Sequence, residues 1–389
     1  MQSESQRDST GVVAAAAPNW LNDRFLQEVI RKAKNDGSIT LYHDCKIRPG
    51  GRDGFEHASN LFRTTVHYRR RSMPREPREQ AVDLILKINR GLLRSDAQFA
   101  TEIRMYREVL PAMEEVLMKI GEAMDVPKYF YSYNEPRNLI IMEDLFPSGW
   151  VQKRELDSFD DAKLCMETIA KFHAASYVIH EKSKQLANIS KANIDINKMA
   201  STIDMLVESL CNQPGCSQMG TKLRSLKPHF QNKLKQLYSP PNPNNFVSVL
   251  NHGDLDVTNL WYRTHPDSKV TMIDFQSCHW GTPAIDLLGL LDMVLDRTAR
   301  RTQSDRLIRE YYEAFTGYMA RMGHRGTPYS LQGLVKELRR CIVLELLHLA
   351  MRYQRKNDSN ADENRVDRRT IDTETQQDLS ELMRRGLLD

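Results

Sequence analysis

Residues 246–276 read FVSVLNHGDLDVTNLWYRTHPDSKVTMIDFQ, two β-like stretches joined by the turn segment THPDS and each interrupted by polar residues. His252-Gly253-Asp254 is followed five residues later by Asn259, and Ile273-Asp274-Phe275-Gln276 closes the second stretch. If Asn259 begins a strand that hairpins into the one ending at Asp274, these two face each other at the open end while Asp254 projects from the preceding loop. Three oxygen-bearing side chains then gather where a hard cation can be held. A lone Asp is more often a turn or cap residue; it is the register with Asn259 and Asp274 that lifts Asp254 out of that class.

The flanks differ in kind. Residues 20–34 carry apolar side chains at three and four, the stripe of an amphipathic helix. Residues 39–47 and 59–69 read as strands with the turn-forming PGGRDG between them, and AVDLILKI at 81–88 and NLIIMEDL at 138–145 are further strand-like runs. Between these, Gln98 to Leu117 has helical spacing with a kink at Pro111. After Asp157 the pattern turns to long helices, at 158–182, 193–212, 220–237, 284–298, 303–322, 329–355 and 373–386. The chain therefore reads as α+β: a disordered tail at 1–18, a small β-rich N-lobe over 19–142 and a larger, mainly helical C-lobe over 143–389.

Composition narrows the classes. The 389 residues are 40% hydrophobic, ample for a buried core. With 55 basic against 51 acidic residues the formal charge is only +4, no reason to expect a nucleic-acid partner. Six scattered cysteines form no secreted disulfide framework and suggest reduced thiols in the cytoplasm. The opening segment is too polar and its GVVAAAAP too short for a leader or a membrane span. A soluble, cytoplasmic monomer with small-molecule ligands is the expectation.

Phosphoryl transfer from ATP needs Mg²⁺ on the phosphates, a carboxylate to orient and deprotonate the attacking hydroxyl, and a cation on the donor. Asp254 suits the base, and Asn259 with Asp274 suits the metal. Lys87, inside the apolar run LILKI, needs a partner if buried, and Glu102 on the following helix stands at the right chain distance. His252 reads as a loop-holding hydrogen bonder and His173 as a satisfied core histidine. Asp286 reads as a structural acid beneath the catalytic loop.

At these residues the chain resembles the ecdysteroid kinase-like family, a branch of the choline kinase and aminoglycoside phosphotransferase superfamily. The likeness lies in SNLFRTTVHYR, DLILK, FATEIRMYREVLP, LIIMEDL, AKFHAAS, LNHGDLDVTNLWYR and IDFQSCHWGTPAIDLLGLL, spread over most of the chain. It implies a two-lobed protein-kinase-like fold using ATP and Mg²⁺, with Lys87 and Glu102 as the N-lobe ion pair. Asp254 would be the base, Asn259 and Asp274 the metal ligands. The stretch from Met142 to Leu145 would be the hinge whose backbone, at Glu143 and Leu145, holds adenine. The acceptor would be a small organic alcohol, an ecdysteroid or other sterol or a xenobiotic, in an insect or other arthropod setting of hormone inactivation or detoxification.

Two departures stand out. The position after HGDL, usually a large aromatic in the family, is Asp256, and the phosphate loop from Gly54 to Asn60 has one glycine, so phosphate contacts fall to its backbone and to Ser59. They leave a second class open, a catalytically inactive nucleotide-binding or scaffold protein of the same fold. A protein kinase is disfavoured, since HRD, DFG and APE segments are absent and about seven residues follow IDFQ before the next helix, too few for a peptide-docking segment.

Overall fold

The computed structural model describes residues 17–50, 59–71, 79–89, 95–133, 138–183, 195–238, 246–360 and 371–387. It resolves into two compact units, one formed by 1–107 with 126–151 and the other by 108–125 with 152–389. Most of the expected tail and of the phosphate loop, and the tip between the first two long strands, lie outside the described residues.

The first unit opens with α1 (Asp23–Lys34). The Asn22 carboxamide caps it by accepting from the Phe25 N–H at 3.1 Å, and Arg31, Lys32 and Lys34 complement its C-terminal end. Its Leu26, Val29 and Ile30 are buried against an antiparallel sheet. The strands are β1 (Thr40–Leu41), β2 (Arg48–Pro49), β3 (Ser59–Arg69), β4 (Glu79–Asn89), β5 (Tyr129–Tyr133) and β6 (Leu139–Glu143). They run in the order β1-β3-β4-β6-β5, with β2 also on β3. On β3, Phe62, Thr64, Val66 and Tyr68 are buried while their neighbours face outward, the period-two pattern of a sheet with one covered face.

One strand was expected over 39–47, and only Thr40–Leu41 pairs. The reason is local: the Cys45 amide turns to Asp23 Oδ1 (2.9 Å) and the Leu41 amide to Gln27 Oε1 (3.0 Å), so α1 side chains satisfy backbone that would otherwise seek a ladder. β5 was not expected, although YFYSY is aromatic at four of five positions.

α2 (Ser95–Arg104) runs into a π turn at Met105–Val109 and then α3 (Leu110–Met118), with Pro111 in its first turn. A proline has no N–H for the preceding turn and its ring crowds that turn's carbonyl, which accounts for the widened turn at the expected kink. The segment after it belongs with the helical unit: α3 packs on α4, and Asp125 binds Lys269 (2.7 Å) and Thr271.

In the second unit the long helices α4 (Phe159–Ser183) and α9 (Arg297–Arg321) pack together. A second layer comprises α5 (Ile196–Asn212), α6 (Ser217–Ser225), α7 (Lys227–Leu237), α8 (Ala284–Gly289), α10 (Leu331–Arg340), α11 (Ile342–Asn360) and α12 (Thr373–Arg384), with a core built on Leu206, Leu210, Leu234, Leu346 and Leu379. Three expected helices are divided. Pro228 separates α6 from α7, and a π turn (Leu290–Val294) plus the extended Leu295 separates α8 from α9, which Asp296 then caps. A break at Cys341 divides α10 from α11; the apolar stripe continues across it, so periodicity could not show it. Between the helices, β7 (Val249–Asn251) pairs with β10 (His279–Gly281), and β8 (Leu260–Arg263) with β9 (Lys269–Met272).

Candidate active site

In the first unit, Lys87 lies on β4, between Leu61 of β3 and Ile140 of β6, so it is on an interior strand. Its ammonium stands 2.6 Å from Glu102 Oε2 on α2, with Lys87 8% and Glu102 1% exposed. A cation so covered is tolerated beside a carboxylate that is more deeply buried still, and the pair fixes both side chains.

The segment expected to hold adenine leaves β6 in the same unit. The Glu143 N–H binds the Lys128 carbonyl (2.8 Å) and its carboxylate accepts from the Lys128 N–H (3.2 Å), while the Asp144 N–H binds the Asp83 carbonyl (3.0 Å). The Leu145 carbonyl accepts from Ser148 and Trp150, but among the described residues its N–H has no partner. Ser59 starts β3 opposite Asn89; its side chain is outside what is described.

In the second unit the catalytic-loop candidate is held from below. Asp286, on α8 and 1% exposed, accepts the His252 N–H (2.7 Å, Oδ2) and the Gly253 N–H (2.9 Å, Oδ1), and also the His173 ring at 3.0 Å. Burial alone would raise its carboxyl, but the hydrogen bond and charge of His173, with His252 and the Gly253 N–H, hold it below the usual range. The other His173 nitrogen meets the Tyr311 hydroxyl at 2.9 Å, so the ring bridges Asp286 and Tyr311. His252 closes the loop from above, its Nε2–H donating to the Ile273 carbonyl at 2.9 Å and its ring lying against Phe275. Gly253 is required in two ways: its φ is +80°, and a Cβ there would come 2.4 Å from the Ser277 carbonyl oxygen.

Asn259 ends a 3-10 turn (Val257–Asn259) rather than beginning β8, and Asp274 lies two residues beyond β9. Their elements are adjoined by the Ile273 N–H bond to the Asn259 carbonyl, 3.0 Å. The Asn259 carboxamide nitrogen donates to the Asp254 carbonyl (2.9 Å) and lies 3.4 Å from its Oδ2, which turns Oδ1 away as an acceptor. Asp274 adopts φ +64°, ψ +63°, a left-handed conformation uncommon for a non-glycine residue and characteristic of sites where function fixes the backbone. The Gln276 amide reaches its Oδ2 at 3.3 Å. Asp254 is open at the surface yet flanked by protein; burial pushes its carboxyl up, Asp274 and Asp256 add to this, and His252 and Arg355 oppose it.

Among the described residues no three His, Cys, Asp or Glu side chains gather as a metal cage. Two hard oxygens from Asn259 and Asp274 are instead the sparse set that suits Mg²⁺, which takes its remaining ligands from phosphate and water. Sequence reasoning missed two supports of this loop: Tyr311, and Arg355 of α11, which pairs with Asp256. The second had a signal, because His348, Arg352 and Arg355 recur at four and three along one face of a helix whose first three turns are mainly apolar.

A groove of about 710 Å³ also opens in this unit, where α9 to α12 meet the π turn. Its walls carry paired charges, Arg300 with Asp378 (2.8 Å) and Arg385 with Glu345 (2.6 Å), which does not suit an apolar acceptor.

The β-rich unit with its buried Lys–Glu pair and the helical unit with its HGD-x4-N loop and Asp274 occur here in a small-molecule phosphotransferase that acts on a hydroxyl group, the class its family defines. The chain belongs to the ecdysteroid kinase-like family, whose model matches residues 53–324. Among solved structures it is similar to a macrolide 2′-phosphotransferase type I, at 14% identity over 93% of this chain and 98% of that one, with a TM-score of 0.42. It is similar also to a choline/ethanolamine kinase family protein from Mesorhizobium loti (13%, 87% and 87%, 0.42) and to choline kinase LicA from Streptococcus pneumoniae (11%, 94% and 99%, 0.41). No curated protein matches the sequence. No helix among the described residues is long and apolar enough to cross a membrane.

Proposed function

We propose that this protein transfers the γ-phosphoryl group of ATP to a hydroxyl of an ecdysteroid, a related sterol or a xenobiotic alcohol. The observation that carries the reading is the loop itself: an accessible Asp254 carboxylate, a neighbouring Asn259 whose oxygen has no partner among the described residues, and Asp274 held in a left-handed turn. Asp254 orients the acceptor hydroxyl and takes its proton as the oxygen attacks the γ-phosphorus; the bond to the bridging oxygen breaks and ADP leaves. Asn259 and Asp274 would hold Mg²⁺, which when bound neutralises phosphate charge. Lys87, oriented by Glu102, serves the α- and β-phosphates, while the backbone of Glu143 and Leu145 receives adenine and Ser59 a phosphate. The Leu145 N–H, without a partner among the described residues, suits that role. The arthropod setting, in hormone inactivation or detoxification, the cytoplasmic location and the monomeric state belong to the same proposal and rest on the family resemblance and composition.

The test is ATP turnover across steroid, phenolic, choline-like and sugar alcohols, run beside Asp254→Asn. Loss of a positioned base is expected to lower kcat by about 10²–10⁴ while Mg·ATP binding persists. Acceptor-stimulated turnover that survives in Asp254→Asn would sink the assignment of the base. ATP binding with no turnover for any class would favour the inactive nucleotide-binding protein.

A further inference from the structure

Asp256 is buried, 7% exposed, one residue beyond Leu255 and two beyond the proposed base. Two contacts tie it to the turn carrying Asn259 and a third ties it to α11. Its carboxylate accepts from the Thr258 N–H (3.4 Å), its carbonyl accepts from the Asn259 N–H (3.0 Å), and its other carboxylate oxygen pairs with Arg355. Gln152 holds the same turn from another side, its Nε2 donating to the Thr258 carbonyl at 2.5 Å.

Arg355 is itself anchored. It lies on the face of α11 that carries His348 and Arg352, at positions i, i+4 and i+7. His348 Nδ1 meets Asp292 Oδ2 at 2.9 Å, and Arg352 donates to the Asp292 carbonyl at 2.7 Å. Asp292 sits in the π turn after α8, where a wide turn leaves carbonyls without their usual helical donors, and the arginine fills that vacancy. One polar stripe thus fastens α11 to the π turn at one point and to the candidate loop at the next.

The plain alternative is a rim ion pair of little consequence, since the Arg355 side chain is 51% exposed and such pairs contribute about 0–1 kcal/mol. Against it, the Asp256 partner is nearly covered and stands in a loop with a second carboxylate, Asp254, so removal of the arginine leaves two acids in close company and a turn free to move.

We propose that Arg355 is a positioning residue that, acting through Asp256, sets the 3-10 turn Val257–Asn259 and with it the Asn259 oxygen offered to the metal. This rests on the reading of Asn259 as a metal ligand.

The experiment is Mn²⁺ binding in the presence of ATP, followed by electron paramagnetic resonance, with metal-free ATP affinity measured beside it. Arg355→Met keeps the aliphatic stem and is expected to weaken Mn²⁺ binding about tenfold, the scale of a lost supporting contact at a metal site, with metal-free ATP affinity unchanged. Arg355→Lys should recover part of the loss, and Asp256→Asn, which retains a capping oxygen, should reproduce it if Arg355→Met does not fold. Wild-type Mn²⁺ affinity in a folded Arg355→Met or Asp256→Asn overturns the proposal. Asn259→Ala separates the two levels: if it too binds Mn²⁺ like the wild type, the metal assignment itself falls, whereas if it alone loses Mn²⁺, only the role of Arg355 does.

Discussion

Gly253 is the residue on which the candidate loop turns. Its positive φ lets the two successive N–H groups of His252 and Gly253 converge on one buried carboxylate, and the missing side chain admits the Ser277 carbonyl and the His279 ring. Gly253→Ala should therefore lose at least about 2 kcal/mol, from the left-handed backbone and the overlap together, read as a fall in the urea midpoint. Unaltered stability would mean that the loop can relax away from Ser277. Asp286 illustrates the same dependence, for its charge survives complete burial only because His173 and two backbone amides meet it. That His-Gly-Asp-x4-Asn and Asp274 lie in adjoining segments was legible in the sequence, from the hairpin that the intervening turn residues signal. The left-handed turn at Asp274 was not, because nothing in the neighbouring residues demands it.

At the scale of elements, β4 and α2 are joined by Lys87 and Glu102. Lys87→Met leaves a nearly inaccessible carboxylate without its cation and should cost about 3–5 kcal/mol, whereas Lys87→Met with Glu102→Leu should return close to the wild-type midpoint. A double variant as unstable as the single one would show that packing, not charge, is at stake. The contact between α11 and α12 carries a different signal. Burial, first, and the Asp292 carboxylate push Glu345 up to about 7, against the two hydrogen bonds it accepts from Arg385. An acid whose folded value exceeds its ordinary 4.5 binds more protons folded than unfolded between those limits, so stability falls as pH rises from about 4.5 to about 7. Melting temperatures across that window should decline in the wild type and flatten in Glu345→Gln; a parallel decline in both would exclude Glu345 as the cause.

For the whole molecule, a ligand that binds only the folded state raises stability by RT ln(1 + [L]/Kd), about 2.7 kcal/mol at a hundredfold excess over Kd. ATP with Mg²⁺ should stabilise the protein by this order and ATP alone by less, measured by thermal shift. Equal shifts with and without the metal would remove Mg²⁺ from the proposed donor arrangement. Most of the fold's plan was legible because each half has its own hydrophobic period, two residues in the sheet and three to four in the helices. Less visible were the places where one element's side chains take over another's backbone, as Gln27 and Asp23 of α1 do for the end of β1 and the stretch after it. The breaks at Leu295 and Cys341 were equally hidden, because the apolar stripe does not register them.

What the sequence by itself determined about this protein is the order and kind of most of its elements, the Lys87–Glu102 pairing across fifteen positions and the small set of oxygen donors gathered about residues 254–274. Those follow from local periodicity and from the chemistry that particular residue types can perform. Only the tertiary structure decided that Asp256 meets an arginine 99 positions away, that His173 and Tyr311 prop Asp286, and that 108–125 joins the helical unit. Such contacts arise when distant elements are packed together, and a side chain carries no local mark of the partner that packing will bring to it.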